Sequence, residues 1–125
     1  MIATRRHDWR SRWPPALREH SIGFPQPFYG YPKSSGDLIN HAYHLCRFEE
    51  TTGVSLATMP VIVEFGGGSG SMCRTLHQIG LTEAYLIFDL PELSAIKRFF
   101  LPHVSESAIF RLTGNAHRMH DLTTR

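Results

Sequence analysis

Val61-Ile62-Val63-Glu64-Phe65-Gly66-Gly67-Gly68-Ser69-Gly70 is the stretch on which the reading of this chain turns. Its first half is a β-branched apolar run bounded by Pro60 and Gly66, with no polar residue before Glu64. Such a run suits a strand buried on both faces of a parallel sheet. Its second half is a glycine loop. Ser71 to Ile79 then follows with helical spacing, Met72, Leu76 and Ile79 pointing inward and Gly80 as the stop. Glycines between a strand and a helix permit positive φ and let a ligand approach the backbone without meeting a Cβ. The unpaired amides at the start of the helix face the same crevice, where open α/β sheets bind ligands.

Working outward, Ala84-Tyr85-Leu86-Ile87-Phe88 reads as a second strand, ending on Asp89. Pro91 opens another helix with apolar Leu93, Ile96, Phe99 and Phe100, and Pro102 is placed beyond its end. Ala108–Leu112 reads as a third strand. Upstream, Leu38, Ala42, Leu45 and Cys46 form one stripe of a helix over 37–52, capped by Ser34, Ser35 or Asp37 and ended by Gly53. Strand and helix alternate from residue 61 onward, which predicts right-handed βαβ units and an α/β fold. The organisation expected is an irregular arm over 1–35, rich in proline and aromatic rings, then an α/β domain over 36–125. Pro14 and Pro15 are expected to break any helix in that arm. Its rings should lie on the domain or line a substrate cleft or dimer contact.

Composition narrows the partners. The 125 residues suffice for one modest domain. Five arginines in residues 1–20 face only Asp8 and Glu19, while the rest of the chain carries eight basic and nine acidic groups. A folded basic face is therefore not expected, and nucleic acid is an unfavoured partner. Cys46 and Cys73 are isolated, so neither a disulfide framework nor a zinc site is indicated. No apolar run approaches the roughly 20 residues that span a bilayer. The arginine-rich start lacks the apolar stretch of a secretory signal. A soluble, cytoplasmic protein is expected.

The loop also narrows the ligand. A dinucleotide fingerprint, GxGxxG/A, fails from Gly66 because its third position is Ser71, and from Gly68 because it is Cys73. No GK[ST] follows, which excludes a P-loop. Glu64 would repel a pyrophosphate and attract a cationic amino acid. Asp89 stands 19 residues after Gly70 at the end of the neighbouring strand, where a carboxylate can accept both hydroxyls of a ribose. Cation, glycine turn and ribose together describe S-adenosylmethionine better than a dinucleotide.

Val63-Glu64-Phe65-Gly66-Gly67-Gly68-Ser69-Gly70 followed by Phe88-Asp89-Leu90-Pro91-Glu92 resembles the Rossmann-like S-adenosylmethionine-dependent methyltransferases. The pair of motifs is most similar to a bacterial sugar O-methyltransferase family, over roughly residues 60–101. The resemblance implies that Glu64 and the glycines Gly66, Gly67, Gly68 and Gly70 hold the methionine part of S-adenosyl-L-methionine. It implies that Asp89 holds the ribose, with Leu90 against the adenine. It further implies methyl transfer to a hydroxyl of a sugar or another small molecule.

The resembling family builds a seven-stranded sheet, and about three strands are readable here. The chain therefore looks like an amino-terminal half, with an unpaired edge at Val61–Phe65 that a homodimer or a missing carboxy-terminal half would cover. A non-catalytic remnant or cofactor-binding partner module is the alternative, and a fragment of an NAD-binding oxidoreductase a weaker one. The pairs His41/His44 and His117/His120 have two-ligand spacing without an identified third ligand, so no metal is assigned. His77 is expected on the solvated side of its helix and Cys73 as a packed thiol. No catalytic residue is assigned.

Overall fold

A computed structural model describes residues 9–104 and 111–112. In chain order the elements are α1 (Trp9–Ala16), β1 (Pro27–Phe28), β2 (Tyr31–Ser35) and α2 (Gly36–Thr52). A single 3-10 turn (Leu56–Thr58) leads to β3 (Val61–Phe65), α3 (Ser71–Gln78), β4 (Ala84–Phe88), α4 (Pro91–Val104) and β5 (Arg111–Leu112). The fold is mixed α/β, as expected. β3, β4 and β5 form a parallel sheet in that order, and β1 and β2 form a separate antiparallel hairpin. Of the third strand expected over 108–112, the pairing of Arg111 and Leu112 with Leu86 and Ile87 is described. The remainder lies outside the described residues, as do His117 and His120.

α2 forms where the stripe and caps predict. Ser35 is the cap, its hydroxyl accepting from the Leu38 amide at 3.3 Å. Gly53 closes the helix in the left-handed conformation and donates to the Glu49 carbonyl at 2.9 Å. Leu38, Ala42, Leu45 and Cys46 are all buried.

The amino-terminal stretch departs from the expectation of an irregular arm. α1 contains Pro14 and Pro15 and forms nonetheless. The two prolines remove the amides that would bond back one turn and crowd the carbonyls there, and packing supplies the order. Trp13, Ala16 and Leu17 enter the core with Leu38, Leu45, Leu76 and Leu81. The Arg12 guanidinium holds both oxygens of the buried Glu49 carboxylate, at 2.8 and 2.9 Å, and donates to the Ile79 carbonyl at 2.9 Å. Bidentate pairing of this kind fixes direction as well as distance. The helix is set by tertiary contacts that no local pattern displays. The rings do not act as a group: Trp13 is fully buried, whereas Phe24 and Tyr29 stand in solvent.

β3 is a strand at the sheet edge, as predicted, but it is not covered on both faces. Ile62 and Glu64 turn inward, level with the buried Tyr85 and Ile87 of β4. Val61, Val63 and Phe65 are exposed, and Phe65 stacks on Phe88 with ring centroids 5.3 Å apart. The inward side chains of β3 and β4 pack into the core, and the outward side chains of β3 stay exposed.

α4 also departs from the sequence reading. It runs through Pro102, and its buried positions are Ser94, Lys97 and Leu101. The apolar Ile96 and Phe99 face outward. The helix is turned so that Lys97 reaches the end of β4 and Leu101 packs against Gly70.

Candidate functional site

Parallel pairing of β3 and β4 ends on Phe65 opposite Phe88, so the glycine loop and Asp89 leave the sheet side by side. The Gly66 amide donates to the Phe88 carbonyl at 2.9 Å, carrying the pairing one residue beyond the strand. The Gly68 amide lies near the Asp89 carboxylate and helps to stabilise its charge. Loop and second acid, expected side by side from the sequence, leave adjacent strands of one sheet.

The glycines divide into two kinds. Gly66, Gly68 and Gly70 have φ of 74°, 52° and 91°, which a side chain disfavours. A Cβ on Gly66 or Gly68 would meet nothing within 4 Å, so the space above these two is open. At Gly67 the restriction comes from below: a Cβ would lie 2.6 Å from Glu64 Oε2 and 2.9 Å from Ile87 Cγ2. Gly70 sits on Leu101, 2.9 Å from where its Cβ would be. The loop is thus pressed onto the domain from beneath and free toward solvent. The backbone at Gly66 and Gly68 is therefore open to close approach by a ligand.

Glu64 lies under the loop, where Tyr85 donates its phenolic hydrogen to Oε2 at 2.9 Å. Burial, and then the Glu64 charge and hydrogen bond, push the Tyr85 phenol far above its ordinary range, keeping it a donor. Cys73 is buried beside them, and burial aided by the Glu64 charge pushes its thiol up to about 12. It is a packed, unreactive thiol, as expected.

Asp89 is more engaged than the sequence indicates. Its Oδ1 accepts from the Leu90 amide at 2.8 Å, and its Oδ2 accepts from Lys97, whose ammonium is wholly buried. The Lys97 hydrogen bond, joined by that of Leu90 and by the nearby Gly68 amide, holds the Asp89 carboxyl below its usual range. Leu90 projects its side chain into solvent beside it. Neither Tyr85 nor Lys97 was assigned to the site from sequence. The only available signal for Lys97 is its place two turns after Asp89 on the helix that the strand end starts.

A cleft of about 390 Å³ adjoins the loop, lined by Glu19, Ile22, Pro25, Ser35, Asp37, Ser69, Ser71, Ile96, Phe99 and Phe100. The outward aromatic and aliphatic residues of α4 form its apolar wall, and residues 19–25 close the opposite side. Its volume falls within the usual range for small-molecule sites. His41 lies one turn beyond Asp37 on α2, and its Nδ1 is buried without a hydrogen-bond partner. Burial lowers the His41 pKa, opposed by the charges of Asp37 and Glu64 and aided by His44.

His77 is half-buried, its Nδ1 2.8 Å from the Leu81 carbonyl, where a solvated ring was expected. Among the described residues, no group of three or more His, Cys, Asp or Glu side chains is arranged to hold a metal. No described helix is long and apolar enough to cross a membrane. No family model, curated protein or solved structure matches the chain.

Proposed function

We propose that the chain is a cofactor-binding domain of a Rossmann-like, S-adenosylmethionine-dependent O-methyltransferase acting on a hydroxyl of a sugar or similar small molecule. The observation that carries this reading is that β3 and β4 end together, which sets the glycine loop beside Asp89. The glycine turn and the second acid thus sit at one end of the sheet, with Glu64 beneath the turn.

When bound, the cofactor supplies a sulfonium methyl for in-line displacement. The chain's own part is to hold and orient. Gly66 and Gly68 leave the backbone open to close approach, and Glu64 places negative charge beneath the loop. Asp89, fixed by Lys97 and Leu90, keeps acceptor capacity for ribose hydroxyls because a carboxylate offers about four lone-pair sites. The cleft along α4 offers an apolar wall and serine hydroxyls beside the loop, suited to an acceptor with both apolar and polar faces.

The test is the affinity of S-adenosylhomocysteine for the wild type and for Asp89→Ala. The reading expects a loss of at least about tenfold, the equivalent of one good hydrogen bond. A second reading, a module that does not catalyse, draws on the same acid: both Asp89 oxygens are already engaged. It expects equal affinity, or none, in the two proteins.

A further inference from the structure

We propose that the neutral imidazole of His41 is a ligand-binding group, its buried Nδ1 accepting a hydrogen bond from the ammonium at the amino-acid end of the bound cofactor. The inference rests on the S-adenosylmethionine reading and adds a residue to it. Its starting point is an orphan. Nδ1 of His41 is buried and meets no partner among the described residues, and such atoms usually mark a missing ligand or water.

Position supplies the second argument. Asp37 lines the cleft together with Ser69 and Ser71 of the glycine loop. His41 lies four residues further along α2, on the same side of the helix. Glu64, under Gly67, acts on the ring from β3, and Asp37 and His44 act on it from α2. These two carboxylates place negative charge near the ring, which favours a cation there. An imidazole lone pair is an acceptor, an ammonium is a donor, and the two are complementary only while the ring is neutral. Burial favours that neutral form.

The sign of the pH dependence follows. A proton on His41 removes the acceptor and adds a like charge. Affinity should therefore be level near neutrality and fall with pH through the His41 pKa, which burial holds below its ordinary value of 6.5. The fall approaches roughly tenfold per pH unit for one competing proton. Asp37, Glu64 and His44 all act on the same ring, so the variant series must isolate the histidine.

The experiment is a calorimetric titration of the chain with S-adenosylhomocysteine between about pH 5.5 and about pH 8, with adenosine as a probe lacking the amino-acid end. His41→Gln retains an acceptor that does not titrate. His41→Leu has none, and thermal melts confirm that each variant is folded. The expected result is a wild-type affinity that falls toward acid, a flatter profile for His41→Gln near wild-type strength, and a loss of about tenfold for His41→Leu at about pH 7.5. Adenosine should be indifferent to both substitutions. Folded His41→Leu binding S-adenosylhomocysteine like wild type, or affinity rising toward acid, overturns the proposal while leaving the cofactor reading intact. Absence of binding of either probe to the folded wild type overturns both.

Discussion

The buried ammonium of Lys97 is paired with the carboxylate of Asp89, tying the middle of α4 to the end of β4. It explains why α4 turns its polar stripe inward and its apolar Ile96 and Phe99 toward the cleft. A buried charge left without its partner is strongly destabilising, so Lys97 and Asp89 stand or fall together.

That pairing makes an acid prediction. The folded-state pKa of Asp89 is depressed, so its contribution to stability is present above the unfolded value, near 3.8, and is lost as pH falls through the folded one. Thermal melts from about pH 6 downward should show wild-type stability declining most steeply below about pH 4. Asp89→Asn should start lower and decline less. Parallel curves would remove the ion pair from the account.

Lys97→Met should lower stability in urea titrations, and adding Asp89→Asn should recover part of the loss. Residues that share one interaction are non-additive, so the double variant should lose less than the two singles together. A double variant whose loss equals the sum of the two singles would show that the pair is not coupled.

The glycine loop offers a contrast between neighbours. Gly67→Ala drives a Cβ into Glu64 and the core methyl of Ile87, and should cost about 1–3 kcal/mol. Gly66→Ala meets open space and carries the left-handed strain alone, about 1–2 kcal/mol. Changing Glu64 to Ala should relieve part of the first cost and none of the second. Chemical denaturation of the wild type, the three single variants and the two double variants checks both statements.

Tyr85→Phe removes the hydrogen bond to Glu64 while keeping the ring. Hydrogen bonds to charged groups contribute about 1.5–3 kcal/mol, and a loss of that order is expected in urea unfolding. An unchanged midpoint would mean that Glu64 finds another donor beneath the loop.

Much of this was legible in the sequence for identifiable reasons. The caps at Ser35 and Gly53, the stripe of α2 and the glycine turn after Val61–Phe65 are local signals, and the local backbone obeys them. The proximity of Gly68 and Asp89 followed from parallel pairing alone. What was hidden depends on partners distant in sequence. α1 exists because Arg12 finds Glu49 and Trp13 finds the core, against the local veto of two prolines. An apolar run does not reveal how many of its faces are covered, so the bare side of β3 was not foreseen. A lysine on a helix reads as solvated until an acid waits beneath it, which is why Lys97 escaped notice.

The central claim is that the loop and Asp89 form a site for S-adenosylmethionine, and its most direct test is a calorimetric titration of the folded chain with S-adenosylhomocysteine beside NADH. The account predicts saturable binding of S-adenosylhomocysteine and none of NADH. Binding of NADH instead, or of neither by a chain whose melt shows it folded, would contradict it.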